Sequence, residues 1–398
     1  MKYPLKPVLI KENNKTDIIL KPTLWRDSGR LFSVSFILIF FTLNIFGCKL
    51  HKSNSLKNAF KHQFLIGVAM NSDQITGKDV QGDKLILKNF NSVVAENCMK
   101  AEVIHPNDGK FDFTLSDQFV DFGTKHKMFI VGHTLIWHSQ APKWFFFDEK
   151  GQTVSREVMI ERMQTHISTI VKRYKGRVNG WDVVNEAFED DGSWRKTPFY
   201  TIIGEEYLEL AFRFTKEADP NAQLYYNDYN MAKTGKRAAV VKLIKDMVLK
   251  GIKIDGIGMQ GHLMMDYPDV KDFEESIIAF GKTGAKIMIT ELDLSILPNP
   301  YSKLGAEISL RADYKEAMNP YKNGIPAEVN EKWENRFADF FRIFTKHSDV
   351  ISRVTLWGLS DNDSWKNNWP IKGRTDYPLL FDRNLKAKPI VKTITRNP

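Results

Sequence analysis

Two glutamates carry the first chemical suggestion. Glu186 closes the run Trp181-Asp-Val-Val-Asn185-Glu186, and Glu291 follows a second apolar run in Ile289-Thr-Glu291-Leu-Asp293. A carboxyl at the polar end of an apolar strand can give or take a proton. Two of them on opposite sides of a sugar ring can cleave an acetal, one protonating the leaving oxygen while the other acts from the far face. Other apolar runs end in groups suited to hydroxyls. These are Glu96, Asn97 and Lys100, then His133, Trp137 and Gln140, then Tyr229, then Gln260 and His262, and finally Trp357 and Trp365. Amides and carboxylates exchange hydrogen bonds with hydroxyls, and an indole face stacks on the apolar side of a sugar. One strand turning polar at its exit is ordinary. Seven doing so, all rich in amide, carboxylate and indole groups, point to one shared site.

Other chemistries lack their residues. There is no GxxxxGK[ST] phosphate loop and no GxSxG nucleophile elbow. His133 and His138 lie five apart, with no HExxH and no cysteine pair to complete a metal site. We therefore expect no metal and no cofactor.

Such residues must be positioned by an alternation of short strands and longer helices. Strands read at Phe64–Ala69, Ser92–Ala95, Met128–His133, Gly180–Val184, Gln223–Tyr226, Gly256–Gln260, Lys286–Thr290 and Arg353–Trp357. Helical periodicity runs from Arg156 to Arg177, where Met163, Ile167, Ile170, Val171 and Tyr174 share a face. It recurs over Tyr207–Ala218, Thr234–Leu249, Asp272–Thr283 and Glu331–His347. Eight β/α beats predict an α/β fold, a (β/α)₈ TIM barrel, whose active sites lie at the carboxyl ends of the strands. A doubly wound sheet is the rival, but its usual Gly-rich first turn is missing from Gly67–Asp73. The stretch from Leu297 to Pro326 reads as a loop insertion after the seventh strand.

Composition agrees with a soluble globular chain: 398 residues, 42% hydrophobic, 26% charged and only two cysteines, too few for a disulfide framework. The formal charge of +9 gives little support to a nucleic-acid partner, because residues 1–47 alone hold seven Lys/Arg against three Asp/Glu. Within that segment, Arg26 and Arg30 precede the uncharged run Leu31–Gly47, the layout of a secretory signal. Its end, Ile45-Phe46-Gly47-Cys48, resembles the lipobox of bacterial lipoproteins, with Cys48 as the acylation site. An uncleaved anchor or simple secretion is the alternative. Residues 1–47 thus read as signal or anchor, 48–62 as a flexible tether and 63–398 as the barrel. The chain is expected to be exported, attached to membrane only through that end, and monomeric.

The motif set resembles glycoside hydrolase family 10, the endo-β-1,4-xylanases. The signature strands are those of Glu186 and Glu291. Supporting motifs are Glu96-Asn97-x-Met99-Lys100, His133-Thr-Leu-x-Trp137-His-Ser-Gln140, Gln260-Gly-His262-Leu263, Trp357-Gly-x-x-Asp-x-x-Ser-Trp365 and Pro378-Leu-Leu-Phe-Asp382. The resemblance implies that xylan and xylo-oligosaccharides are the substrates and that anomeric configuration is retained. It implies Glu186 as general acid/base, Glu291 as nucleophile, and Asn185 on the sugar 2-hydroxyl. His262 would bond Glu291, with Asp293 orienting the imidazole. Glu96, Asn97, Lys100, His133 and Gln140 would bind hydroxyls on the non-reducing side. Trp137, Trp357 and Trp365 would wall the cleft, and Gln260 and Tyr229 would lie near the reacting ring. Two other readings stay open: a non-catalytic xylan-binding lipoprotein on this barrel, and a barrel glycosidase acting on another β-1,4-glycan.

Overall fold

The computed structural model describes residues 55–300 and 311–396. The proposed signal segment, Cys48 and part of the loop insertion lie outside the described residues. Nine strands are present among the described residues: β1 (Leu65–Met70), β2 (Ser92–Ala95), β3 (Phe129–Ile136), β4 (Gly180–Asn185), β5 (Gln223–Asp228), β6 (Gly256–Met259), β7 (His262–Met264), β8 (Lys286–Ser295) and β9 (Ile351–Leu356). Each of β1 to β5 pairs in parallel with the next, β6 pairs with β8, β8 with β9, and β9 returns to β1. Eight strands therefore close a parallel barrel, as the sequence predicts. All six residues of β4 are buried, as expected where helices cover the outer face of a parallel sheet.

The interior is filled rather than open. Ala69, Val94, Val131, Tyr225, Met288 and Trp357, drawn from different beats, form one cluster inside the ring. Gly180 makes room for it, since a Cβ there would sit 2.4 Å from the Tyr225 hydroxyl. Below, the Arg353 guanidinium lies 5.6 Å from the Phe129 ring and 5.3 Å from Tyr225. A packed barrel floor leaves only the strand ends free to hold a ligand.

Three expectations need revision. The tether does not extend to residue 62. Leu56–Ala59 is a helical turn, and Leu56 and Phe60 are fully buried, Phe60 against Phe64 and Phe341. Two apolar residues inside a polar stretch were enough to dock it. Helices Val80–Asn89, Thr114–Lys125, Pro198–Ile203 and Pro389–Arg396 were not anticipated. Val80–Asn89 buries only Gly82, Ile86 and Asn89, so its apolar stripe is faint. Finally, β8 runs five residues beyond Thr290. It continues because the sixth beat breaks at Gly261 (φ +79°) and resumes as β7, which pairs His262 with Asp293 and Met264 with Ser295. Glu291 and Asp293 are consequently inside a strand, not past its end.

Candidate active site

The strand ends converge on one open cavity. Lys100, His133, Trp137, Asn185, Glu186, Tyr229, Gln260, His262, Glu291, Trp357 and Trp365 all line it. Four residues of the anticipated set do not line it. Asn97 and Gln140 act through Lys100, whose ammonium donates to Asn97 Oδ1 at 3.0 Å and to Gln140 Oε1 at 2.9 Å. Glu96 adds its charge near that ammonium. Asp293 lies behind His262.

Glu186 is placed by an unusual backbone. Leaving β4, it takes a left-handed conformation (φ +63°), which for a residue with a Cβ costs about 1–3 kcal/mol. Its N–H donates to the Asn227 carbonyl at 2.9 Å, and Arg195 Nε donates to the Glu186 carbonyl at 3.1 Å. Arg195 also reaches the Phe188 carbonyl and the Tyr229 hydroxyl, so one guanidinium fastens the turn. The carboxyl then accepts from Trp137 Nε1 at 2.6 Å and from Gln260 Nε2 at 2.9 Å.

Glu291 has different partners. Asn227 Nδ2 donates to its Oε1 at 2.8 Å, and His262 Nε2 donates to its Oε2 at 3.2 Å. The other His262 nitrogen donates to Asp293 Oδ2 at 3.0 Å, and the same oxygen accepts from Trp365 Nε1 at 2.8 Å. Residues 291 and 293 are two apart on one strand and so share a face, which lets one imidazole serve both. Asn185 joins the two halves, its Oδ1 accepting from Asn227 Nδ2 at 2.9 Å and from Gln260 Nε2 at 3.3 Å.

These surroundings separate the two carboxyls electrically. Burial pushes the Glu186 pKa up, the charge of Asp228 adds to it, and the value reaches about 7 despite the bonds from Gln260 and Trp137. The charge of Glu291 adds the smallest part of that rise. Burial also pushes Glu291 upward, but the His262 bond, the nearby His133 and the Asn227 bond more than offset it and hold the group below the usual range. Burial would discharge His262, yet Asp293 and Glu291 raise it to about 9. Below pH 7 the cavity thus holds one mainly protonated carboxyl, one carboxylate and an imidazolium between two anions. A proton donor and an anionic nucleophile in one cleft are the parts that acetal cleavage requires.

Several contributors escaped the sequence reading. Asn227 was visible at a strand end but not assigned. Asp228, which raises Glu186, is paired with the fully buried Lys236 at 2.9 Å. Asn230, Lys366 and Trp369 also line the cavity.

Residues 55–397 match the family described as Glycosyl hydrolase family 10. The chain is 50% identical over 342 residues to endo-1,4-beta-xylanase A of Xylanibacter ruminicola, covering 86% of this chain and 93% of that protein. It is 38% identical to a beta-1,4-xylanase of Dictyoglomus thermophilum over 84% of this chain and 88% of the other. Among solved structures, a GH10 endoxylanase from a sugarcane soil metagenome superposes with a TM-score of 0.83 at 47% identity, over 86% of this chain and 99% of that one.

The raised His262 pKa makes stability depend on pH in a definite direction. A group with a folded value of about 9 and an unfolded value of about 6.5 stabilises fully below pH 6.5, and the contribution is lost as pH rises through 9. Urea unfolding of the wild type should therefore lose about 3 kcal/mol across that window through this group. His262→Asn should flatten the dependence; an unchanged slope in that variant would place the titration elsewhere.

Proposed function

The chain belongs to glycosyl hydrolase family 10, and we propose that it is an endo-1,4-β-xylanase that hydrolyses internal xylosidic bonds with retention of anomeric configuration. The observation that carries this is the placement of Glu186 and Glu291 in one indole-walled cavity, the first bonded by Trp137 and Gln260 and the second by Asn227 and His262. Relatives named as endo-1,4-beta-xylanases over most of their length support the substrate.

In the first step a Glu291 oxygen attacks the anomeric carbon while Glu186 delivers its proton to the leaving glycosidic oxygen. The C–O bond to the departing chain breaks and a glycosyl ester forms on Glu291. In the second, Glu186, now a carboxylate, takes a proton from water. The water oxygen bonds to the anomeric carbon, and Glu291 leaves as a carboxylate. Formation of the ester removes one negative charge from the cavity, which eases the deprotonated state of Glu186 between the steps. The Asn185 acceptor is already occupied, so its amide N–H groups are the end available to a sugar hydroxyl. Trp137 and Gln260 fix the orientation of the acid, while Lys100, His133, Trp357 and Trp365 hold and wall the sugar chain.

A pentose cleft also bears on the choice of polymer, because each hexose carries an additional CH₂OH against those indoles. Parallel reducing-sugar assays on xylan, cellulose and mannan should give activity on xylan, and none on any of the three would leave only a glycan-binding barrel.

We also propose that residues 1–47 direct export and that Cys48 carries the lipid, on the basic flank, apolar run and lipobox-like end of that segment. Mass analysis of the mature amino terminus should find acylated Cys48; a chain still beginning at Met1 would favour an uncleaved anchor.

The roles predict a bell-shaped dependence of kcat/KM on pH. Its alkaline limb should fall near pH 7 as Glu186 loses its proton, and its acid limb below the ordinary glutamate range as Glu291 gains one. Glu186→Ala should slow xylan hydrolysis by about 10²–10⁴-fold but spare ester formation from an aryl xyloside with an acidic phenol. Glu291→Ala should abolish both. Equal losses in the first step for Glu186→Ala would remove its acid role, and proton NMR showing the inverted anomer first would remove retention.

A further inference from the structure

The cavity contains a cation that the cleavage steps above do not use. Lys366 lies in the turn Trp365–Asn367 after β9, is only 5% exposed, and lines the cavity together with His262 and Glu291. Its ammonium rests 4.1 Å from the centroid of the Trp365 ring and 5.4 Å from that of Trp369. Among the described residues it has neither a hydrogen-bond acceptor nor an ion-pair partner. Other buried lysines are treated differently. Lys100 donates to two side-chain carbonyls, Lys236 is paired with Asp228, and Lys388 donates to Asp361 and to the Tyr377 carbonyl. An ammonium taken from water without acceptors is costly, and aromatic faces replace only part of what it loses.

A second observation points the same way. Lys366 and Trp369 form the wall between the catalytic cavity and a smaller side pocket that has no Asp or Glu among its described lining residues. Arg374 lines that pocket as well. Its terminal nitrogens donate to the carbonyls of Pro298 and Trp369, but its buried Nε has no partner. The nearest acids, Asp293 and Asp376, form no ion pair with either cation, although Asp293 Oδ1 is left without a partner. Asp293 accepts from His262 and Trp365, and Asp376 accepts from the Ser295 hydroxyl and the N–H groups of Ile296 and Tyr377. Two cations with spare donors therefore border the sugar cleft, beside a side pocket that has no carboxyl among its described lining residues.

We propose that Lys366 binds a carboxylate carried by the polysaccharide, the uronic acid side group of a decorated xylan, and so gives the cleft a preference for acidic over neutral chains. This rests on the xylanase reading above, and it adds a binding role that leaves the proton chemistry of Glu186 and Glu291 untouched. A short, charge-assisted bond to a carboxylate would replace the hydration that the ammonium loses on folding.

The test compares three substrates: an unsubstituted xylo-oligosaccharide, the same chain bearing one glucuronosyl group, and that chain with its carboxyl reduced to the alcohol. The last keeps the bulk and removes the charge. For the wild type, kcat/KM should be about tenfold higher for the uronate than for its reduced form, consistent with one charged hydrogen bond. Added salt should narrow the ratio. Lys366→Met should erase the preference, and Lys366→Arg should keep part of it. Equal rates on the uronate and its reduced form by the wild type would overturn the proposal. So would an equal loss on all three substrates in Lys366→Met, which would make the lysine a brace between two indoles. The wild-type comparison decides even where a variant fails to fold. If the wild type cleaves none of the three, the xylanase reading falls with it; cleavage without a charge preference removes this proposal alone.

Discussion

Two buried carboxyl groups share one cavity, and burial pushes both toward the neutral form. The site depends on that push being resisted at one of them only. His262 provides the resistance. Charged, and held between Asp293 and Glu291, it keeps Glu291 ionised, while Glu186 is bonded only by neutral donors and lies within the field of Asp228. Removing the imidazolium would leave two acids competing for the same protonation state.

The fold supplies that asymmetry through the lengths of its strands. The extension of β8 past Thr290 brings two acids onto one face, and the short β7 exists because Gly261 lets the sixth beat turn and resume beside it. His262 is thereby set in register with Asp293. On the opposite side, β4 ends abruptly, and Glu186 takes a left-handed turn that Arg195 fastens through three acceptors. One acid is positioned by a continuing ladder of backbone bonds and the other by a strained corner. The rigidity of both rests on a barrel floor already filled by Tyr225, Met288 and their neighbours.

Much of this was legible in the sequence, and the reasons are physical. Parallel strands buried on both faces show as apolar runs, so all eight barrel beats could be read, and a strand end that turns polar marks the mouth of a barrel. What depends on partners rather than on type could not be read. The docking of Leu56 and Phe60 rests on contacts with distant rings, and the faint stripe of Val80–Asn89 on a helix that buries little. Asn227 looked like one more amide until the structure showed it bonded to Asn185 and Glu291 at once. Lys366 looked like an ordinary charged loop residue. Only the lack of an acceptor for its ammonium among the described residues sets it apart.

The central claim concerns where a proton sits, and carbon-13 NMR of the free protein labelled at its glutamate carboxyls observes that directly. The two resonances are assigned by their loss in Glu186→Gln and Glu291→Gln. The Glu186 carboxyl should titrate near pH 7 and that of Glu291 below the ordinary glutamate value. Both groups titrating together near 4.5, or Glu291 being the higher of the two, would contradict the account.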